Sequence, residues 1–289
     1  MKFTKMHGAG NDYVYVDAHK EKIADPSALA VRISDRHTGV GSDGLILIAP
    51  SKKADFRMIM FNADGSEGSM CGNGIRCIGK YVLDHGLTKK KAITVETKSG
   101  TVALDLHVSG GKVDQVTVDM GPVRPVPRDF HVRADGIKPL LVEKIEGFDC
   151  FVASMGNPHC VIPVDSTDSA PVTTKGPVIE KHPDFPSRVN VEFVQILSKT
   201  HVRQRTWERG SGETFACGSG ACAVGFALSS QGLIERKVRI DLLGGTLHIE
   251  VGNDGRVRMT GPAVEVFSGD FPSSAKASEG KQTKAPKRR

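Results

Sequence analysis

Along most of this chain apolar residues alternate with polar ones, or run together briefly between turn residues, which is the period of strands rather than of helices. In the first half the pattern predicts strands over 14–16, 45–48, 57–61, 94–97 and 102–106. In the second half it predicts them over 150–153, 191–196, 238–242 and 247–251. Helical spacing shows clearly once in each half. After Gly74, residues Ile75, Cys77, Ile78, Tyr81, Val82 and Leu83 make an apolar surface that ends at His85-Gly86. After Gly220, the run 221–228 is apolar almost all round and ends near Gly232. A helix with no polar face has to be buried, and a glycine just past the end is an ordinary stop signal. One buried helix wrapped by several strands, twice over, predicts an α+β fold rather than alternating βαβ units.

The two halves also repeat in sequence. Cys71-Gly72-Asn73-Gly74 returns as Cys217-Gly218-Ser219-Gly220, 146 positions on. Gly10-Asn11, Glu67 and Gly86-Leu87 return as Gly156-Asn157, Glu213 and Gly232-Leu233 at the same interval, and Gly100-Thr101 as Gly245-Thr246 one residue short of it. A constant offset over this length marks an internal duplication. Met120-Gly121-Pro122 resembles Thr260-Gly261-Pro262, which places one half at 1–118 and the other at 119–262. Residues 263–271 belong to neither copy and are expected to return as a strand to the first half.

Composition changes this picture in two places. The net charge of +6 raises the question of nucleic acid. From Pro272 onward there are six basic residues and one acid, so the remaining body is close to neutral. The stretch 272–289 is expected to be a disordered, solvated extension, and no nucleic-acid partner is expected. No run of apolar residues is long enough to span a membrane, and no apolar segment follows the amino terminus as in a secretory signal. With six cysteines in such a chain, a reducing cytoplasm is expected, where thiols stay free unless they do chemistry. The close pairs Cys71/Cys77 and Cys217/Cys222 lack the spacing of a structural zinc site, and no metal is expected.

The duplicated motif places a cysteine at the first turn of each buried helix. Unpaired backbone N–H groups and the helix dipole there favour negative charge, so each site can cradle a carboxylate and lower the pKa of a thiol. A single cysteine in that position reads as a small buried hydrophobe. Two equivalent ones facing one site suit inversion at a carbon acid: one thiolate removes the α-proton and the opposite thiol protonates the other face. A carboxylate held by two helix N-termini gains stabilisation as it becomes enolate-like. No lysine or phosphate loop stands out for pyridoxal phosphate, and no cofactor is expected.

Six motifs in order carry a resemblance: residues 6–12 (MHGAGND), 61–67 (FNADGSE), 70–77 (MCGNGIRC), 155–159 (MGNPH), 207–214 (WERGSGET) and 216–222 (ACGSGAC). Together they closely resemble the diaminopimelate epimerase family, from Met1 to about Phe271. The resemblance implies two pseudo-symmetric domains, each a β-barrel-like sheet wrapped around a central helix, in a homodimer. It implies a cofactor-independent isomerase that interconverts LL- and meso-diaminopimelate, in lysine and peptidoglycan precursor biosynthesis. Cys71 and Cys217 become the acid/base thiols, with backbone amides of Gly72, Asn73, Gly218 and Ser219 at the reacting carboxylate. Asn11, Asn62, Asn157, Asn190, Glu208 and Arg209 are expected to hold the substrate, Arg209 as the fork for the distal carboxylate. His159 and Glu208 are expected to tune the thiols.

The copies differ where Asn62 aligns with Glu208 and Gly44 with Asn190, as a substrate with unlike ends requires. Gly44 stands where some members of the family place a polar side chain. Plainer readings exist for several residues: His159 as a structural histidine, Arg209 as a surface ion pair, Asn11 and Asn157 as turn residues. Cys77, Cys222, Cys150 and Cys160 read as core. The alternatives to the epimerase are another two-cysteine racemase of the proline or hydroxyproline type, an isomerase of the phenazine-biosynthesis type, and a redox or binding protein. A cyclic imino acid has no second carboxylate for Arg209.

Overall fold

The computed structural model of the chain describes residues 1–131 and 141–272. The basic C-terminal stretch, and with it the expectation of a disordered tail, lies outside the described residues from 273 onward. The first half runs β1 (Lys2–Gly8), β2 (Asn11–Asp17), α1 (Pro26–Ser34), β3 (Gly44–Ala49), β4 (Phe56–Asn62), β5 (Glu67–Gly68), α2 (Gly72–Asp84), β6 (Ala92–Thr97), β7 (Gly100–Ser109) and β8 (Lys112–Pro122). The second runs β9 (Leu141–Ile145), β10 (Phe148–Ser154), β11 (Pro158–Pro163), α3 (Val172–Glu180), β12 (Asn190–Ser198), β13 (His201–Glu208), β14 (Gly212–Thr214), α4 (Gly218–Ser230), β15 (Lys237–Leu242), β16 (Gly245–Val251) and β17 (Arg256–Pro262). A last strand, β18 (Val264–Asp270), follows.

Strand pairing makes the duplication visible. In one half the strands lie in the order β18, β1, β2, β3, β4, β6, β7, β8. In the other they lie β9, β10, β11, β12, β13, β15, β16, β17. The short β5 and β14 add to β4 and β13. β8 pairs antiparallel with β17, Thr117 opposite Thr260, and this seam joins both sets into one 18-stranded sheet. β18 lies against β1 as β9 lies against β10, so the last strand fills for the first half the place that the second half fills with its own leading strand. A division at residue 118 falls inside β8, which continues to Pro122.

Each half holds a second helix that the periodicity did not reveal. β2 and β3 pair in parallel, as do β11 and β12, and parallel neighbours need a crossover of a dozen or more residues. α1 and α3 are those crossovers. α1 starts at Asp25, whose carboxylate accepts from the Ala28 amide, with Pro26 in the first turn. Only nine residues long, it buries Leu29, Ala30 and Ile33 against Phe3, Val14, Val16, Leu45 and Leu47. β3 is therefore covered on both faces and buried at every position, which is why it reads as a continuous apolar run. α3 carries Gly176 and Pro177 and two threonines, a composition that argues against a helix in sequence.

α2 and α4 are the central helices. α4 is buried over all of 220–228, and α2 over 73–82. They pack inside the two halves of the sheet, and the helices themselves touch. Cys77, Cys150, Cys160 and Cys222 are fully buried, in keeping with a core role. Among the described residues no helix is long and apolar enough to cross a membrane.

Candidate active site

Both central helices are capped by a cysteine. Cys71 has φ −129° and ψ 118°, Cys217 φ −109° and ψ 105°, the extended geometry of an N-cap. Each Sγ accepts a hydrogen bond from the amide three residues on, Gly74 at 3.3 Å and Gly220 at 3.4 Å. An N-cap is ordinarily a hydroxyl, amide or carboxylate, so a sulfur there leaves the capping bond weak and the sulfur available. Gly74 and Gly220 sit tightly against side chains: a Cβ would lie 2.7 Å from Ile46 Cδ1 in one and 2.7 Å from Glu192 Oε1 in the other, so either neighbour would have to shift.

Two contacts and one shared charge bring the two caps together. Asn73 Nδ2 donates to the Ala216 carbonyl at 2.9 Å, so the first turn of α2 is tied to the residue before Cys217. Met259, on β17, abuts both Gly72 and Gly218, within 3.0 Å of where either Cβ would stand. The carboxyl of Glu208 raises the pKa of both thiols. The turn between β1 and β2 also reaches across: a Cβ on Gly10, which has φ 84°, would stand 3.0 Å from Phe215 Cβ and 3.2 Å from Gly244 Cα.

The surroundings of the thiols differ. Cys71 Sγ donates to Asn11 Oδ1 at 3.2 Å, and Asn11 Nδ2 in turn donates to Asp43 Oδ2 at 2.7 Å. Asp43 accepts from Arg36, which also grips Asp12. The pKa of the Tyr13 hydroxyl is raised, first by burial and then by its proximity to Cys71. Beside Cys217 stands Ser219, whose hydroxyl is 3.5 Å from Sγ and accepts from Asn157 Nδ2 at 3.1 Å. Behind it lies a fully buried pair, His159 Nδ1 to Glu192 Oε1 at 2.7 Å.

Of the remaining expected substrate contacts, Asn62 is exposed and donates to Ser66. Asn190 is buried with both ends of its amide used, donating to the Pro158 carbonyl and accepting from the Arg209 amide. As it stands, Asn190 orients the backbone of Arg209 rather than facing outward. Arg209 is exposed, with one guanidinium N–H on the Ser187 carbonyl. Glu208 accepts from Thr214 Oγ1 at 2.6 Å. Gly44 cannot carry a side chain, since a Cβ would lie 2.1 Å from the Phe61 carbonyl oxygen.

The amides at the helix ends do pull the thiol pKa values down, as expected, but burial outweighs them. Burial pushes Cys71 up, and Glu208 adds to the rise against the pull of the Gly74 and Asn73 amides and Arg76. Cys217 is pushed well above its ordinary value by burial, then by Glu208 and Glu192, with Ser219 and Gly220 opposing. Glu208 is itself raised by burial, against Thr214 and His159. Two partial dipoles cannot offset the removal of water from a full charge. Both thiols are thus pushed up, and His159 lies beside Cys217, with possible ligating atoms of the two within 4.8 Å of each other.

Reading the sequence missed Glu192, Tyr13, Asp43 and Arg76. Arg76 is fully buried, donating to the carbonyls of Pro262 and Gly72. A charged residue inside the otherwise apolar stretch 191–194 was the signal that could have found Glu192. His159, Glu192 and Cys217 present possible metal-ligating atoms within 4.8 Å of one another. As placed, the imidazole nitrogen and carboxylate oxygen are 2.7 Å apart, closer than the roughly 3.3 Å that separates two ligands on a tetrahedral zinc. The contact is that of a shared proton.

The family model described as diaminopimelate epimerase matches residues 3–126 and 151–266. A diaminopimelate epimerase from Leptospira biflexa is 53% identical over 275 residues, covering 93% of this chain and 98% of its own length. One from Acetivibrio thermocellus is 51% identical over 275 residues, with the same coverage. One from Methanococcus maripaludis is 49% identical over 277 residues, covering 94% and 99%. Similar solved structures include a PhzF-family phenazine biosynthesis protein from Bacillus anthracis, with TM-score 0.71, 18% identity and coverage of 94% and 99%. A hydroxyproline epimerase from Agrobacterium vitis has TM-score 0.66, 17% identity and coverage of 93% and 90%. At such identities these two establish the fold alone.

Proposed function

The chain belongs to the diaminopimelate epimerase family, and from that premise we propose that it interconverts LL- and meso-2,6-diaminopimelate with Cys71 and Cys217 as the two bases. It is an isomerase. The racemase and redox alternatives are not favoured, because relatives at about half identity over nearly the whole chain are epimerases of diaminopimelate. The observation that carries the mechanism is the paired cap: two cysteines at equivalent helix starts, tied by Asn73 to Ala216.

The substrate α-carboxylate binds between the helix N-termini, against the amides of Gly72, Asn73, Gly218 and Ser219, which lack intrahelical acceptors by position. One sulfur, as thiolate, removes the α-proton; the C–H bond breaks and an S–H bond forms. The opposite thiol gives its proton to the other face, so the charge crosses the site and configuration inverts. Burial raises the pKa of both thiols in the free protein; the incoming α-ammonium supplies the positive field that favours a thiolate, and the proton released as one sulfur ionises passes to a neighbouring base such as His159. Asn11, Asn157, Asn62, Glu208 and Arg209 bind the polar groups of the substrate, Arg209 taking the distal carboxylate. The product feeds lysine and peptidoglycan precursor synthesis in the cytoplasm.

The protein acts as a homodimer in this reading, supported by the exposed Val264, Val266 and Phe267 of β18. The test is direct. Purified protein given LL-diaminopimelate without cofactor forms the meso isomer, and Cys71→Ala or Cys217→Ala abolishes it while far-UV circular dichroism is unchanged. Near-normal turnover by either variant contradicts the two-base mechanism.

A further inference from the structure

The halves differ sharply in what lies beneath the capping glycines. A Cβ on Gly74 would meet Ile46 Cδ1 at 2.7 Å and Met58 Cε at 3.3 Å. A Cβ on Gly220 would meet Glu192 Oε1 at 2.7 Å and Gln204 Nε2 at 3.2 Å. Ile46 and Met58 stand 146 positions before Glu192 and Gln204, and Tyr13 stands 146 before His159. The duplicated architecture is thus satisfied by aliphatic and thioether groups at this place. Nothing in the fold requires a carboxyl there.

Burying a carboxylate costs several kcal/mol even after relaxation, and the second half sustains it beside a reacting sulfur. Glu192 and His159 are both fully buried, with Oε1 and Nδ1 2.7 Å apart. Their outer atoms, His159 Nε2 and Glu192 Oε2, are buried without a hydrogen-bond partner. Both residues sit on paired strands, β11 and β12, where His159 lies opposite Asn190 and Val161 opposite Glu192. The pair is held by sheet rather than by loop.

We propose that Glu192 is a positioning residue for the epimerisation: its carboxylate accepts the Nδ1 proton of His159 and fixes the tautomer that keeps the buried, unpartnered Nε2 a proton acceptor in the cluster that holds His159, Glu192 and Cys217 within 4.8 Å. This rests on Cys217 being one of the two reacting thiols. Nε2 makes no hydrogen bond to Cys217 in the free protein, so the transfer requires the two to approach; when it occurs, the S–H bond breaks and the Nε2–H bond forms. Thiol and imidazole become thiolate and imidazolium with no change in net charge, and Glu192 remains the acceptor of Nδ1–H throughout. A carboxylate that orients an imidazole in this way is worth two to four orders of magnitude in hydrolases and roughly 10–100-fold around metal ligands.

Glu192→Gln, Glu192→Asp and Glu192→Ile separate this role from a structural one. Expected results for Glu192→Gln are a fall of about 100-fold in kcat with KM little changed, and slower iodoacetamide alkylation of Cys217, by about tenfold or more, at an unchanged Cys71 rate. In ¹⁵N spectra, wild-type His159 shows a protonated Nδ1 and a bare Nε2, and the Gln variant loses that state. Glu192→Asp recovers part of the rate, and Glu192→Ile, the residue type used in the first half, folds and is inactive. Wild-type turnover in Glu192→Gln overturns the proposal, as does equal slowing at both cysteines together with lost stability. If the wild-type protein fails to epimerise diaminopimelate, the reading of function fails, whereas the alkylation and ¹⁵N results still decide the role of Glu192.

Discussion

The side-chain amide nitrogen of Asn73 donates to the backbone oxygen of Ala216 at 2.9 Å, across 143 residues of chain, and so sets the spacing of the two capping thiols. Asn73 is 3% exposed and its Oδ1 has no hydrogen-bond partner, so one bond holds the amide. Asn73→Ala is expected to cost about 1–3 kcal/mol in urea unfolding. It should lower kcat/KM by roughly 100-fold, because small displacements of acid and base are costly to catalysis. A variant that loses stability but keeps full activity would show that this tie does not set the reacting geometry.

Gly44 pairs with Asn62 across β3 and β4, and the Phe61 carbonyl leaves its Cβ position no space. Gly44→Ala is expected to destabilise the protein by about 1–3 kcal/mol or more. Unfolding by urea measures it. A neutral result would mean that β3 and β4 separate easily at the rim of the site.

Burial pushes Cys77 up to about 11 and Cys222 up to about 12. In the unfolded chain these thiols ionise near 8.5, so above that pH the unfolded state binds fewer protons than the folded one. The stability due to the protonated thiols is complete below about pH 8.5 and is lost as pH rises through 11 to 12. Cys217, which is buried, and Cys71, which is half-buried, move the same way. Urea midpoints are expected to fall between pH 7 and pH 10, and to fall less in a Cys77→Val, Cys222→Val double variant. Midpoints that rise with pH would contradict the burial assigned to these groups.

Two thiols across one small site are also expected to be joined by oxidation, as a side reaction that stops turnover. Mild oxidant should inactivate the protein with a Cys71–Cys217 cross-link identified by peptide mass spectrometry, and dithiothreitol should restore activity. Full activity in cross-linked protein would contradict the role of both sulfurs.

Much of this was legible in the sequence because the duplication repeats local rules. Cysteine then glycine before an apolar run marks a helix start whether or not the partner copy is known, and an interval of 146 carries that reading from Cys71 to Cys217. The strands 45–48 and 191–196 stood out because they are covered on both faces. α1 and α3 did not, being short, and α3 is held by packing despite Gly176 and Pro177. The net rise of the thiol pKa values was not legible, because helix dipoles are visible in a sequence and desolvation is not. Glu192 and Asp43 escaped for a related reason: each acts through another side chain, His159 or Asn11, that only the folded sheet brings within reach.

The two-base claim is tested most directly by the fate of solvent deuterium. LL-diaminopimelate incubated in deuterated water without cofactor, and sampled before equilibrium, should give meso product with deuterium at the inverted α-carbon while recovered substrate stays unlabelled. Deuterium entering recovered substrate as fast as product would indicate a single base serving both faces, and unlabelled product would exclude proton transfer through exchangeable thiols; either contradicts the pairing of Cys71 with Cys217.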